Sequence, residues 1–147
     1  MAEILHRIGA KAPLDRTYEA LSTREGLAAW WTHRTQGEAG RVGGVLQFRF
    51  DAGGFDMKVT ALEPGALVRW QVVDGPAEWI GTTIEFELRT EGAFTLVHFS
   101  HRGWKEPSDG LRHCSTKWAV FLLSLKSLLE TGTGAPEPND TKIDNWN

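Results

Sequence analysis

The sequence predicts one α+β domain in which an antiparallel sheet packs against a long C-terminal helix. Three observations predict this class. Over most of residues 45–102 apolar side chains alternate with polar ones, which is the period of half-buried strands. Over residues 111–129 they recur at steps of three and four, which is the period of an amphipathic helix. Two short helical stretches precede the sheet, so helices and strands are segregated along the chain, as in α+β proteins.

The N-terminal elements are a strand and two short helices. Residues 3–11 are rich in aliphatic side chains and are predicted to form the first strand. Pro13 suits the first turn of a helix, and an apolar stripe at steps of four and three continues to Leu21. Ser22 and Glu25 match a capping box, so a second short helix is expected to begin there.

Five further strands follow, separated by turns rich in glycine, proline and aspartate. Their alternation predicts which side chains face the helix. The predicted strands cover residues 45–50, 55–63, 67–73, 79–89 and 94–102, and Ile80 is expected to begin the inward row of the fourth. The inward set is Leu46, Phe48, Phe50, Met57, Val59, Trp70, Ile84, Phe86, Val97 and Phe99. Phe94 and Leu96 are expected to be exposed on the outer face, either as a homodimer contact or as ordinary surface.

The long helix is predicted to begin at a cap formed by Ser108 or Asp109 and to end at Gly132. About twenty residues of helix span roughly 30 Å, enough to cross a whole sheet. We therefore expect one domain over residues 1–134 and a tail over residues 135–147. Only Ile143 and Trp146 are expected to anchor the tail.

Composition excludes several classes of protein. The 147 residues are 41% hydrophobic and 24% charged, which is ordinary for a globular chain. A formal net charge of −3 and the lack of a Lys/Arg cluster argue against nucleic-acid binding. The lone Cys114 cannot form an internal disulfide, which suits a reducing cytoplasm. Neither a membrane span nor an export signal is recognised, so a cytoplasmic protein is expected. Seven Trp in so small a chain indicate a large, flat, weakly polar surface.

The order and spacing of several segments resemble the START-like (SRPBCC) superfamily, in particular the branch named after activators of the heat-shock-protein-90 ATPase. The segments are ALSTREGLAAWW over residues 20–31, Gly43-Gly44, Trp70, TTIEF over residues 82–86, HRGW over residues 101–104, and Trp118 in a Leu-rich helix. The resemblance covers residues 1–134. It implies the helix-grip fold, a curved antiparallel sheet of about seven strands wrapped around the C-terminal helix, with an apolar cavity between them. Related proteins include lipid carriers, hormone receptors and polyketide cyclases.

The inward aromatic side chains are read either as plain core or as the wall of a ligand cavity of roughly 300–1,000 Å³. Because a buried indole needs a partner for its N–H, Trp side chains favour the rim of a pocket over a dry core. The predicted ligand-binding set is Trp30, Trp31, Phe48, Phe50, Met57, Trp70, Trp79, Phe86, Phe99, His101, Trp104, Trp118, Phe121 and Leu122.

The histidines offer no metal site. His98 and His101 leave opposite faces of one strand, and His113 and Cys114 diverge on a helix, so neither pair can share an ion. His101 is expected to reach the cavity near its mouth. It is either a structurally hydrogen-bonded residue or a polar group that orients a ligand or moves a proton, and His33 is a second candidate for this role.

Three functions follow, none of which requires a cofactor. The first is binding of a small apolar or aromatic molecule between sheet and helix. The second is a cyclase or hydratase that uses the same cavity, with His101 or His33 moving protons. The third is a chaperone-interaction module, as the family resemblance implies. The first reading is favoured because many aromatic side chains lie on the inward faces beside few polar groups. Those activators carry a further domain that this chain is expected to have no room for, which argues against the third reading.

Overall fold

Seven antiparallel strands form one open sheet in the spatial order β1-β7-β6-β5-β4-β3-β2. The computed structural model describes all 147 residues. The strands are β1 (Ala2–Ala10), β2 (Thr35–Gly37), β3 (Val45–Phe50), β4 (Gly53–Glu63), β5 (Leu67–Asp74), β6 (Thr83–Glu91) and β7 (Phe94–Trp104). β3 to β7 form a meander of neighbouring strands, while β1 pairs with β7 at one edge and β2 with β3 at the other. The short β2 was not predicted from the residue pattern.

Three helices complete the predicted α+β fold: α1 (Leu14–Ser22), α2 (Arg24–Trp30) and α3 (Asp109–Thr131). The long helix α3 begins as expected, because the Ser108 hydroxyl accepts a hydrogen bond from the Leu111 N–H at 3.1 Å. It ends at Gly132, whose φ of +85° places it in the left-handed region that favours glycine. None of the helices combines the length and apolar character needed to cross a bilayer.

The cap of α2 differs from the prediction by one residue. Thr23, rather than Ser22, accepts the hydrogen bond from the Gly26 N–H, at 3.0 Å. The Ser22 hydroxyl instead donates to the Tyr18 carbonyl of α1 at 2.8 Å. The capping-box prediction was wrong in register because Ser22 still belongs to the preceding helix.

The core fills most of the space between the sheet and α3. It is one cluster of 27 buried residues, which contains the whole predicted inward set except the half-buried Phe50. Six of the seven Trp are buried, and Trp146 alone is exposed. The alternation therefore predicted the inner face correctly, but the hollow beneath the helix is largely packed with rings.

Two predictions about strands were wrong. Ile80 is 52% exposed because residues 77–81 form a turn and sheet pairing of β6 begins only at Thr83. Leu96 is buried because Gly9, its partner on β1, has no side chain. The Leu96 side chain can therefore lie against the backbone of β1. Phe94 is exposed at 38%, with the ammonium groups of Lys11 and Lys126 over its ring at 5.7 and 5.9 Å.

The C-terminal tail is anchored mainly by buried carboxylates, in addition to the two predicted side chains. Glu137 is buried, forms an ion pair with Arg34 at 3.1 Å and accepts from the backbone N–H of Asp51. Asp140 is buried against α3. Of the two predicted anchors, Ile143 is half-buried and Trp146 is 53% exposed. Charged groups, which replace their lost hydration with ion pairs, hold the tail in place.

Candidate functional site

A cleft of about 470 Å³ opens at one end of the interface between the sheet and α3. Five segments build it: the end of α2, the β3–β4 turn with the strand ends beside it, the β5–β6 loop, the first half of α3, and the C-terminal tail. Seven of its lining residues are Trp or Phe, namely Trp31, Phe50, Phe55, Trp79, Trp118, Phe121 and Trp146. Exposed residues of the turn and the tail, including Gly53 and Trp146, form its rim.

The aromatic side chains that line the cleft also pack against one another. Phe55 and Trp79 stack at a centroid distance of 3.9 Å and an angle of 13°. Trp31 lies 4.8 Å from Trp118 at a tilted angle. The β5–β6 loop can approach the Phe55 ring because Gly75 lacks a side chain and adopts a φ of +143°. Such walls favour a planar apolar guest, which stacks or meets ring edges.

Polar groups lie on one side of the cleft, on a single face of α3. His113, Lys117 and Phe121 follow one another at steps of four, so their side chains share that face. The Lys117 ammonium forms a buried ion pair with Asp140 and donates to the Thr141 carbonyl at 2.9 Å. Asp140 also accepts from Lys142 at 2.9 Å.

The ion pairs determine the charge of this polar side. Burial alone would raise the pKa of Asp140, but hydrogen bonds from Lys117 and Lys142 hold that pKa below its usual range. Asp140 is therefore a carboxylate at neutral pH and fixes the tail to α3.

A second contact between tail and helix involves His113. Its Nδ1 lies 2.7 Å from the Asp144 carboxylate, and the Trp146 ring packs beside it at 5.2 Å. The hydrogen bond from His113 lowers the pKa of Asp144, with a further contribution from the Trp146 N–H. Nδ1–H is therefore the donor, and the other ring nitrogen, Nε2, has no partner within the protein.

Cys114 also lines the cleft but is not poised as a nucleophile. Burial raises the pKa of its thiol to about 11. The thiolate, which is the reactive form, is therefore scarce at neutral pH.

His101 does not reach the cleft, contrary to the prediction. It is fully buried, and its Nδ1 accepts from the Trp118 indole N–H at 3.2 Å. Its Nε2–H donates to the Thr82 hydroxyl at 2.8 Å, because that hydroxyl gives its own proton to the Trp79 carbonyl. Burial lowers the pKa of His101 to about 3, so the ring is neutral and both nitrogens are engaged. His101 is thus not the proton-transfer group with a near-neutral pKa that the enzyme reading required.

His33 also lies away from the cleft. Its Nδ1–H donates to the Glu137 carbonyl at 2.6 Å, so it ties the α2–β2 connection to the tail. Neither histidine that the sequence put forward for catalysis lines the cleft.

The predicted ligand-binding set divides into two groups. Five members line the cleft: Trp31, Phe50, Trp79, Trp118 and Phe121. The other nine are core residues that do not line it: Trp30, Phe48, Met57, Trp70, Phe86, Phe99, His101, Trp104 and Leu122. The argument that buried indoles avoid a dry core failed for Trp70 and Trp104, whose N–H groups are buried without a partner.

Several lining residues were absent from the predicted ligand-binding set, namely Phe55, His113, Cys114, Lys117, Asp140 and Trp146. The helical ones carried a signal that could have found them. His113, Lys117 and Phe121 are spaced by four residues, and Cys114 and Trp118 by four, so both rows lie on one side of α3. The tail residues carried no such signal, because their placement depends on long-range ion pairs.

Comparison with solved structures supports the fold and identifies a close relative. The Aha1 dimer from Colwellia psychrerythraea, solved in solution, is 50% identical, with a TM-score of 0.85 over 91% of this chain and 100% of that one. CalU16 from Micromonospora echinospora is 20% identical, with a TM-score of 0.78 over 97% of this chain and 74% of that one. Protein SSP2350 from Staphylococcus saprophyticus is 18% identical, with a TM-score of 0.75 over 90% and 95%. The last two show similarity of fold alone.

Comparison with curated protein sequences found no significant match. The sequence model of the family described as "Activator of Hsp90 ATPase homolog 1-like protein" matches residues 11–130, which extend from the end of β1 to the last turn of α3. The helix-grip arrangement of the seven-stranded sheet and α3 agrees with this match. The chain therefore belongs to the Activator of Hsp90 ATPase homolog 1-like family, within the START-like superfamily.

Proposed function

We propose that the protein binds a small, planar, largely apolar molecule in the cleft between α3, the sheet and the C-terminal tail. The observation that carries this proposal is the set of seven Trp and Phe side chains around a space of about 470 Å³. That volume lies within the usual range of small-molecule sites, roughly 300–1,000 Å³. The adjoining core is densely packed, so the cleft is a localised site.

The expected affinity follows from the area that the walls can cover. A two-ring aromatic ligand about the size of an indole buries roughly 150–250 Å², which corresponds to about 4–6 kcal/mol of transfer free energy. Losses of translational and side-chain freedom offset part of this gain. The full gain would correspond to a Kd on the order of a millimolar to tens of micromolar, so after these losses we expect a bicyclic hydrocarbon to bind with a Kd of about a millimolar.

The seven Trp provide the test and its internal control. In a proton–nitrogen correlation spectrum, titration with a soluble naphthalene derivative should shift the indole N–H signals of Trp31, Trp79 and Trp118. The signals of Trp70 and Trp104, which do not line the cleft, should move much less. Uniform shifts of all seven signals, or none, would contradict the proposed site.

Filling the cleft tests the same proposal by mutation. Cys114→Phe places a ring in the cleft and should abolish the shifts, whereas Cys114→Ser keeps the volume and should bind. Leu123→Phe is a matched control, because Leu123 is 58% exposed on the same helix and does not line the cleft. Unchanged binding by Cys114→Phe would argue against a guest in this cleft.

Interaction with a chaperone is the alternative, and family membership supports it. The relative from Colwellia psychrerythraea carries the name Aha1. The alternative predicts that the protein changes the ATPase rate of purified Hsp90, and that Cys114→Phe leaves this effect intact. A ligand that alters the effect would link the two functions.

Self-association is a second proposal about partners. The Colwellia relative is described as a dimer, and half of its sequence is identical to this chain. Light scattering during size-exclusion chromatography should report twice the monomer mass of 16.4 kDa. Phe94→Ser tests the sequence-based suggestion that its exposed ring contributes to the contact.

A further inference from the structure

Two polar side chains, those of His113 and Lys117, also line the cleft, and binding of an apolar molecule does not require them. His113 and Lys117 stand one helical turn apart on the same face of α3, and both line the cleft. Their Cβ atoms are therefore separated by on the order of 6 Å. A purely apolar guest would use neither side chain.

The Lys117 ammonium carries charge that its partners do not balance. The Asp140 carboxylate accepts from two ammonium groups, those of Lys117 and Lys142, so this cluster has one positive charge in excess. Lys117 donates to Asp140 and to the Thr141 carbonyl, so one of its three ammonium hydrogens has no hydrogen-bond acceptor in the protein. The ammonium also lies over the Phe121 ring, 5.1 Å from its centroid, and a ring face is a weaker partner than an anionic oxygen. The cluster is thus suited to an anionic oxygen.

His113 differs from the other histidines of the chain. It is the only one hydrogen-bonded to a carboxylate and the only one that lines the cleft. His6 and His33 bond to backbone carbonyls, His101 to Thr82 and Trp118, and His98 has no partner for its Nε2. Because Asp144 accepts from Nδ1–H, the unpartnered Nε2 of a neutral ring is a proton acceptor.

We infer that the cleft takes aromatic molecules that bear an acidic hydroxyl, and that it holds them as phenolates between His113 and Lys117. This inference rests on the proposed binding function and names its ligand class. On binding, the phenol O–H bond breaks and its electron pair stays on oxygen, while the proton forms a new bond to Nε2 of His113. The resulting imidazolium remains paired with Asp144, and the phenolate oxygen pairs with the Lys117 ammonium.

The other charged groups around the site do not oppose this arrangement. Asp144 and Asp140 are engaged by His113 and by the two lysines. The Cys114 thiol is neutral at physiological pH. Glu78, on the β5–β6 loop, accepts a hydrogen bond from the Ser108 hydroxyl at the start of α3.

The test compares two probes that differ by one hydroxyl, 4-nitrophenol and nitrobenzene. The measurement is made near neutral pH, where free 4-nitrophenol is still partly protonated and an ordinary histidine side chain, with a pKa of about 6.5, is mostly neutral. Saturation with the protein should raise the yellow phenolate absorbance above that of the free probe, and 4-nitrophenol should bind at least about tenfold more tightly than nitrobenzene, as expected for hydrogen bonds to charged groups. Binding of both probes is followed by the indole N–H signals of the cleft.

Variants locate the effect. His113→Gln and Lys117→Met should each reduce the phenolate absorbance and the preference for 4-nitrophenol, while nitrobenzene still binds. Lys117→Arg keeps the positive charge and should therefore keep the preference for 4-nitrophenol. This variant tests the role of the charge even if Lys117→Met disturbs the fold. His33→Gln is the matched control, because His33 lies outside the cleft, and it should behave like the unmodified protein.

The outcomes separate this inference from the proposed function. Equal binding of both probes without phenolate absorbance would overturn the phenol assignment and leave aromatic binding intact. Phenolate absorbance that survives both His113→Gln and Lys117→Met would overturn the assigned residues. If neither probe shifts the cleft indole signals, the proposed binding function itself fails.

Discussion

The buried imidazole of His101 should make the folded state less stable as the pH falls below neutrality. Burial lowers the pKa of His101 to about 3, whereas an unfolded chain has a histidine pKa of about 6.5. Between these values the unfolded state binds a proton that the folded state does not, so the free energy of unfolding rises with pH. This contribution is fully present above the unfolded pKa and is lost progressively as the pH falls toward the folded one.

The expected size follows from the pH interval. Going from pH 7 to pH 5 crosses about 1.5 units below the unfolded pKa, which corresponds to a loss of about 2 kcal/mol. Protonation would also break the bond from the Trp118 indole, because a charged ring has no free acceptor at Nδ1. Folding therefore keeps His101 neutral over this range.

The assay is urea unfolding, followed by tryptophan fluorescence at both pH values. His101→Gln retains an acceptor for the Trp118 N–H but has no charge to gain. The unmodified protein should lose about 2 kcal/mol more than the variant on acidification, since groups other than His101 contribute equally to both. An identical pH dependence in the two proteins would refute the reasoning.

Three further predictions concern the tail, the thiol and a helix cap. In a thermal-unfolding measurement, Asp140→Asn should lower the free energy of unfolding by about 3 kcal/mol, because the buried Lys117 loses its counter-charge. In the same measurement Lys142→Met should lower it by under about 1 kcal/mol, because Lys142 is a half-exposed partner of Asp140. Cys114 should react slowly with iodoacetamide at neutral pH, and mass spectrometry should detect fast labelling only after unfolding. Thr23→Ala should cost about 1 kcal/mol by urea unfolding, and more than Ser22→Ala, because the Thr23 hydroxyl caps α2; the reverse order would contradict the observed cap.

The sequence pattern predicted the inner face of the sheet because a strand's side-chain period is local. Phe48, Trp70 and Phe86 lie in the core, as their alternation required. The same local rule failed at Ile80, where a turn bonded through Trp79 and Thr82 delays the start of β6. Local periodicity does not indicate where pairing with a distant strand begins.

The candidate site could be predicted only in part, for a related reason. Alternation shows which residues face inward, but it does not show where along the helix the packing stops. Trp31 and Trp118 lie at that boundary, whereas Trp70 and Trp104 lie behind it. The polar side depends on Asp140 and Asp144, which lie 23 and 31 residues in sequence from the α3 side chains that they contact, Lys117 and His113.

The residues that form one wall of the cleft are different from the residues of the hydrophobic core that stabilises the fold. The sheet and helix bury their own core, while one wall of the cleft comes from the last eight residues, which are held by Asp140 and Asp144. Substitutions in this segment would therefore change the shape and polarity of the cleft while the packed core between the sheet and α3 stays intact.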